Sequence, residues 1–259
     1  MTSCDAYQAS RSLRQLCASP DYFGAIASLA EQLARDTSAP ELLVALREAT
    51  YRLGADVSFF ASLVREDRNV DSFRFLVACD PIWSLQYEGK QCVSADAWLR
   101  YAISHTEAVL AKDLTAANER EQQTIDLAAR YGFRSTFIVP APGGDGSRGG
   151  VLVLGSRQVD FFNDQGKAAL KIVARGLAME LQERFSELMQ RELRTRCAIT
   201  ASELELLAHE RQGRPTKIIA SILGCSAGAV DQRFHRLIGK LGVSSRGDAA
   251  RLAAAYGLI

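Results

Sequence analysis

The sequence predicts an α+β protein: an N-terminal α/β/α sandwich with a central antiparallel sheet, followed by an all-α domain of four helices. Three observations carry this prediction. Strand patterns bracketed by helical patterns fill the N-terminal part, a long helical pattern follows, and short helices with glycine stops end the 259-residue chain. Chains of this length commonly form two domains. We place the first at residues 1–192, a linker at 193–198 and the second at 199–259.

The N-terminal part alternates between helical and strand periodicity. Helical spacing in DYFGAIASLAEQLA and ELLVALREATYRL precedes the β-branched and aromatic runs DVSFFASLV and SFRFLVAC. Further helices are predicted around residues 83–87, 95–104 and 117–131. The runs STFIVPAP and GGVLVLGSR indicate two more strands, joined by GGDGSRG, whose glycines and Asp suit a hairpin loop. Strands bracketed by helices at both ends favour an antiparallel sheet covered by helices.

A long helix is predicted after Asn163, because apolar residues recur there every three or four positions. This spacing is typical of a helix that packs on a sheet, and also of a coiled-coil-like dimer seam. Both interpretations stay open, since one helix can do both. The apolar residues concerned are Leu170, Val173, Leu177, Leu181, Phe185 and Leu188.

Composition argues against several classes of protein. The six cysteines form no C-x-x-C pair, which disfavours a zinc site and a disulfide framework. The chain lacks a membrane-length apolar run, and its first residues lack a signal-peptide pattern, so we expect a cytoplasmic protein without a membrane partner. Two of the three histidines, His209 and His235, lie in the C-terminal domain, leaving only His105 in front. We therefore predict no enzyme, no metal site and no cofactor.

Charge is distributed unevenly along the chain. From Thr195 to Ile259 nine Lys or Arg residues face five acidic ones, a net charge of +4, which leaves −3 for everything before it. A basic C-terminal segment on an acidic body favours nucleic acid as the partner of that segment.

The C-terminal segment carries clear start and stop signals for short helices. Residues 200–203 (Thr-Ala-Ser-Glu) form a capping box, and Gly213 is suited to end that helix. A second helix is predicted at about 217–223. The turn at 224–226 (Gly-Cys-Ser) then offers its Ser as the cap of a third helix, which ends at Gly242. Two short helices joined by a tight Gly-containing turn predict a helix-turn-helix.

The third of these helices has the pattern of a DNA-recognition helix. Val230, Phe234 and Leu237 fall on one face, and the polar side chains project elsewhere, so the helix could enter the major groove with its cations near phosphates. The alternative interpretation is a solvated, charged face on an ordinary small bundle. The residues predicted to contact DNA are Lys217, Asp231, Gln232, Arg233, His235, Arg236 and Lys240.

The segment IT-x-x-E-x-x-x-L-x(5)-G-x(4)-IIA-x-x-LGCS-x-x-x-V-x(6)-LIGKLGVSSR-x-x-A, residues 199–249, resembles the DNA-binding domain of the LuxR family of regulators. The resemblance implies a homodimer on a double-stranded DNA operator, with a fourth helix at about 248–256 that helps to pair two domains. The recognition helix departs from the family pattern. Asp231 stands where Lys is usual, and Arg233 where His is common. Because Asp can accept a hydrogen bond from cytosine N4, we expect an unusual operator preference.

The spacing Trp83-x-x-x-Tyr87, with Asp96 nine residues later, resembles the pocket of the family's acyl-homoserine-lactone-binding domain. The resemblance implies that Trp83 donates to the lactone carbonyl, that Asp96 accepts from the ligand amide, and that Tyr87 lines the pocket beside the acyl carbonyl. A buried amide needs such partners, since each unmatched group costs about 1–3 kcal/mol. Taken alone, W-x-x-x-Y on a helix is more often core. The spacing to Asp96, the order of strands and the C-terminal match favour the pocket.

Three further pocket positions depart from the family pattern. Ala111 replaces a tryptophan that walls the lactone end, Thr136 replaces a glycine, and Val153 lies where a hydroxyl often supports the acyl carbonyl. Two hypotheses follow. In the first, an N-acyl-homoserine lactone or related small amphiphile controls DNA binding by a LuxR-type transcription regulator. In the second, the chain is an unpaired (solo) regulator whose N-terminal domain is a ligand-independent dimerisation or partner-binding domain.

Overall fold

The computed structural model describes residues 12–33, 38–67, 70–143 and 148–259. It divides into two compact units. The N-terminal unit comprises Met1–Leu63 with Phe73–Phe185, and the C-terminal unit comprises Val64–Ser72 with Ser186–Ile259. The predicted loop GGDGSRG lies mostly outside the described residues. The predicted domain limits at residues 192 and 199 stay a prediction.

A five-stranded antiparallel sheet with helices around it forms the N-terminal unit, as the sequence predicts. Its strand order is β2-β1-β5-β4-β3. The short strand β3 has no counterpart among the predictions, because two residues are too few to show an alternation. The strands are β1 (Val57–Asp67), β2 (Val70–Ala78), β3 (Val109–Leu110), β4 (Ser135–Pro142) and β5 (Arg148–Ser156). The helices are α1 (Leu13–Cys17), α2 (Tyr22–Leu33), α3 (Ala39–Arg52), α4 (Pro81–Gly89), α5 (Ala97–Ser104), α6 (Glu119–Arg130) and α7 (Lys167–Arg196), the last of which continues into the C-terminal unit.

Both faces of the sheet are covered, because successive side chains of a strand point to opposite faces. On β1, Phe59 joins the core cluster that contains α4 and α5 residues, whereas the ring of Phe60 lies edge-on to Phe185 of α7 at 6.1 Å. On β4, residues 135–141 are all buried. The sandwich predicted from the sequence is therefore confirmed.

Most of the apolar stripe of α7 is used for packing within the N-terminal unit, since five of its six residues precede Ser186. Leu170, Leu177, Leu181 and Phe185 are buried, whereas Val173 and Leu188 are half-buried. Of the two interpretations of this stripe, packing on the sheet is confirmed. A dimer seam on α7 would need side chains that lie outside the stripe.

The C-terminal unit is built from helices whose ends agree closely with the start and stop signals in the sequence. Glu203 N donates to Thr200 Oγ1 at 3.3 Å and Thr200 N donates to Glu203 Oε2 at 2.8 Å, so the predicted capping box is present. Gly213, Gly224 and Gly242 have φ of +69°, +62° and +67°, which favours glycine. The helices are α8 (Ala201–Arg211), α9 (Thr216–Ile222), α10 (Ala227–Leu241) and α11 (Arg246–Ala255).

A close approach between β5 and its neighbours gives a test of the packing around the sheet of the N-terminal unit. A Cβ added at Gly155 would lie 2.5 Å from Cδ1 of Phe133 and 2.7 Å from Cγ2 of Val57. We expect Gly155→Ala to lower the free energy of unfolding by about 1–3 kcal/mol, since these side chains must move. Urea unfolding followed by tryptophan fluorescence measures this, because both tryptophans lie in the N-terminal unit.

The matched control is Gly24→Ala in α2, where an added Cβ meets no atom within 4 Å among the described residues. Alanine is a better helix former than glycine, so this variant should be as stable as the parent or more stable. Equal stability of the Gly155 and Gly24 variants would contradict the packing described.

Candidate ligand pocket and nucleic-acid interface

An aromatic cluster lies between the sheet and helices α4 and α5. Its centre is Phe59 of β1, which stacks on Trp83 at 5.2 Å and 22° and on Trp98 at 6.3 Å and 20°. Phe133 contacts both indoles at 5.8 Å between ring centroids. The four rings come from four different parts of the chain, namely β1, α4, α5 and the segment before β4, and all of them are buried.

Asp96 is the polar centre of this region. It is the N-cap of α5, where its Oδ1 accepts from the backbone N–H groups of Trp98 at 2.8 Å and Leu99 at 3.1 Å. Its Oδ2 accepts from the Tyr87 hydroxyl at 2.6 Å. Burial raises the pKa of the Asp96 carboxyl, and these hydrogen bonds act against that rise. Burial and the nearby Asp96 charge raise the pKa of Tyr87, so its hydroxyl keeps its proton and donates.

Two indole donors of the aromatic cluster have no hydrogen-bond partner among the described residues. The Trp83 side chain is 1% exposed and that of Trp98 is 3% exposed, yet neither Nε1 is paired there. A buried N–H without an acceptor costs about 1–3 kcal/mol. The site therefore lacks acceptors, and a bound molecule could supply them.

The other three predicted pocket residues lie near the same cluster. Val153 is buried in it and pairs across the sheet with Ile138, and Ala111 packs against it from a short 3-10 turn. Thr136 is buried on β4, two residues from Ile138 and therefore on the same face, and its hydroxyl donates to the carbonyl of Phe133 at 3.0 Å. The sequence pattern does not single out Trp98, although Trp98 lies only two residues after Asp96.

A half-open cleft of about 390 Å³ reaches this region from the edge strand β2. Volumes of about 300–1,000 Å³ are usual for small-molecule sites. Trp83 and Tyr87 line the cleft together with Leu43 and Arg47 of α3 and with Phe75 of β2. Arg47 is a lining residue that sequence reasoning does not find, because α3 carries only the periodicity of an ordinary amphipathic helix.

Metal sites and membrane spans are both absent from the part of the chain that the structure describes. No group of three or more His, Cys, Asp or Glu side chains there could hold a metal ion. Within the same residues, no helix has both the length and the apolar character needed to cross a membrane.

Helix α10 presents a polar face in the C-terminal unit. Val230, Phe234 and Leu237 are buried in the core of that unit, which fixes the direction in which the other side chains project. Five of the seven predicted DNA contacts are exposed, and their side chains make no hydrogen bond or ion pair with any other described residue. These five are Lys217, Gln232, Arg233, His235 and Arg236.

The remaining two predicted DNA contacts are paired inside the unit. Asp231 Oδ1 lies 2.6 Å from Nη2 of Arg246, whose guanidinium also donates to Thr216 Oγ1 at 3.1 Å and lies 4.6 Å from the centroid of the Phe234 ring. Arg246 thus ties the start of α11 to α9 and α10.

Lys240 is held in a similar way. Its Nζ lies 2.7 Å from Glu203 Oε1 and donates to the carbonyl of Ala198 at 3.1 Å. Glu203 is also the capping-box residue of α8, so this ion pair joins the end of α10 to the start of α8.

Comparison with known proteins assigns both parts of the chain. Residues 38–180 match the family described as "Autoinducer binding domain", and residues 198–253 match "Bacterial regulatory proteins, luxR family". No curated protein gives a significant match.

Three solved structures share the fold. SdiA of Escherichia coli has 17% identity and a TM-score of 0.70, over 92% of this chain and 99% of SdiA. SdiA in complex with octanoyl-rac-glycerol has 19% identity and a TM-score of 0.66, over 93% and 97%. CepR2 of Burkholderia cenocepacia, an N-acylhomoserine lactone-dependent LuxR family transcription factor, has 15% identity and a TM-score of 0.54, over 63% and 98%. This chain belongs to the LuxR family of bacterial regulatory proteins and carries an autoinducer-binding domain followed by a helix-turn-helix DNA-binding domain.

Proposed function

We propose that this transcription regulator is a homodimer whose binding to operator DNA is controlled by an N-acyl-homoserine lactone or related small amphiphile in the N-terminal unit. The observation that carries the proposal is the buried, unpaired indole N–H of Trp83 close to the Tyr87–Asp96 pair. An acyl ligand brings a carbonyl for Trp83 and an amide or hydroxyl donor for Asp96. We assign Ala111, Thr136 and Val153 to the pocket wall.

The complex of SdiA with octanoyl-rac-glycerol supports this class of ligand, since that compound is an acyl amphiphile bound to a protein of the same fold. The cleft that reaches Trp83 and Tyr87 from β2 offers a route for such a molecule.

The second candidate function is that of a DNA-binding regulator that needs no ligand. The observation that favours it is that Phe59 and Phe133 pack directly against Trp83, so the domain's own side chains fill part of the region. In this case the N-terminal unit is a ligand-independent dimerisation or partner-binding domain.

Thermal unfolding with N-octanoyl-homoserine lactone separates the two candidates. A ligand that binds only the folded form stabilises it by about 2.7 kcal/mol at a hundred times its Kd, so we expect the Tm to rise. Asp96→Asn should abolish the rise in Tm. The amide oxygen can still accept from the backbone N–H groups that cap α5, but the amide nitrogen cannot accept a hydrogen bond from the ligand.

The matched control for this variant is Asp80→Asn. Asp80 caps α4 through a bond from Ile82 N at 2.9 Å but is exposed, so its variant should keep the response. An unchanged Tm across a panel of acyl lactones, together with tight operator binding by lactone-free protein, would establish the ligand-independent candidate instead.

For the DNA interface, we propose that Lys217, Gln232, Arg233, His235 and Arg236 contact the operator. Their exposure and their freedom from other described residues support this role. Asp231 and Lys240 lie on the same helix, and they reach DNA only when their ion pairs with Arg246 and Glu203 open.

Salt dependence of operator binding tests this division. Each phosphate contact contributes a slope of about 0.9 in a plot of log affinity against log salt concentration. Arg236→Ala should lower the slope by about 0.9, the value for one phosphate contact. Lys240→Ala should lower the Tm of the C-terminal unit and leave the slope nearly unchanged. Gln232→Ala should change the preferred bases. An equal loss of slope in the Lys240 variant would show that its ion pair opens on DNA.

We propose further that α7 supplies a homodimer contact. Ile172 is 69% exposed and Met179 is 45% exposed, with Gly176 between them on the same face of the helix. These residues lie outside the buried stripe of α7 and form a small apolar face.

Sedimentation velocity tests the dimer contact. We expect Ile172→Glu to shift the protein towards monomer, because a charge in an apolar contact is costly to bury. Val159→Glu changes a similarly exposed apolar residue outside α7 and should leave self-association unchanged. Dimerisation of the Ile172 variant at the parent's affinity would exclude this face.

We propose, finally, that the protein acts in the cytoplasm and has no enzymatic activity. Membership in a family of bacterial regulators that bind DNA supports both statements.

A further inference from the structure

The chain has two tryptophans, and both carry the same unusual feature. Each indole is almost fully buried, and each Nε1–H is unpaired among the described residues. Trp83 is already assigned to the ligand under the proposed function. Trp98 has no assigned role, although it shares the aromatic cluster with Trp83.

The two indoles are held in one layered arrangement. Both lie within about 20° of parallel to the ring of Phe59, at 22° for Trp83 and 20° for Trp98, and Phe133 contacts both. Trp98 is also fixed at its backbone, because its N–H donates to Asp96 Oδ1 at 2.8 Å. The carboxylate that receives the Tyr87 hydroxyl therefore also anchors the residue that carries the second unpaired indole.

The balance of donors and acceptors at this site indicates what is missing. Asp96 Oδ1 accepts from two backbone N–H groups and Oδ2 from Tyr87, which leaves a second lone pair of Oδ2 for a ligand donor, whereas the two indole donors have no acceptor among the described residues. A phenylalanine at residue 98 would stack on Phe59 without leaving a buried polar atom, and each unpaired N–H costs about 1–3 kcal/mol. An indole at this position therefore carries a buried donor that the described residues leave unused.

We propose that Trp98 is a ligand-binding residue, a second hydrogen-bond donor that selects neutral acyl compounds with two acceptor oxygens, such as an acyl carbonyl together with a lactone carbonyl or a hydroxyl. Trp83 pairs with one oxygen and Trp98 with the other. This inference rests on the proposed function, since it concerns the same ligand site. It adds a residue and a requirement for two acceptors.

Indole NMR signals test the inference directly. The ¹⁵N-labelled full-length protein has two indole N–H signals, which Trp83→Phe and Trp98→Phe assign. The probes are N-octanoyl-homoserine lactone and 1-octanoyl-rac-glycerol, each of which carries an acyl carbonyl and further oxygens. We expect saturation with a probe to move both indole proton signals downfield and to slow their exchange with water.

Affinity of the variants gives the second measurement. We expect Trp98→Phe to weaken probe binding about tenfold, which corresponds to about 1.4 kcal/mol and is within the range for one lost hydrogen bond. The matched control is Tyr101→Phe, which removes another donor of α5, one that bonds the carbonyl of Glu107 at the surface. This variant should bind like the parent.

The outcomes separate the two proposals. A shift of the Trp83 signal alone, with parental affinity in Trp98→Phe, overturns the role of Trp98 and leaves the proposed function in place. If neither indole signal shifts and neither probe raises the Tm, both proposals fail. Should the Trp98 variant not fold, the two indole signals of the unsubstituted protein still decide the question.

Discussion

The N-terminal site depends on one buried carboxylate. Asp96 caps α5 through the N–H groups of Trp98 and Leu99 and receives the Tyr87 hydroxyl from α4, so it fixes two helices relative to each other. A buried carboxylate without such donors would be too costly to keep. Because Tyr87 and Trp83 lie one turn apart on α4, the same bond also sets the position of the Trp83 indole.

Arg246 has a comparable role in the C-terminal unit. It joins Thr216 of α9, Asp231 and Phe234 of α10, and the first turn of α11. This contact explains how an acidic residue is tolerated where the LuxR resemblance leads one to expect Lys. Asp231 is neutralised within the unit, so the repulsion it would exert on phosphates is reduced. The exposed cations Arg233 and Arg236 then dominate the charge of the helix surface.

The helix-turn-helix could be predicted almost residue by residue because its signals are local. The capping box at Thr200 and the glycines at 213, 224 and 242 act within one helical turn of where they stand. The ion pairs of Asp231 and Lys240 could not be predicted from the sequence, since their partners lie 15 and 37 residues away along the chain. The sequence does not single out Trp98 for the same reason: its neighbour Phe59 belongs to a distant strand, and only the folded chain shows that the indole N–H of Trp98 is unpaired among the described residues.

The free energy needed to shift a two-state equilibrium can be compared with the free energy gained when a ligand pairs the two indole donors. Moving a two-state equilibrium from 1:99 to 99:1 needs about 5.5 kcal/mol of differential binding. Pairing one buried N–H contributes about 1–3 kcal/mol to this difference if the N–H stays unpaired in the competing state. Two such donors contribute about 2–6 kcal/mol on the same condition. Burial of the acyl chain adds about 0.8 kcal/mol for each CH₂. The indole hydrogen bonds therefore act together with chain burial in setting how far a ligand shifts the population of the competent state.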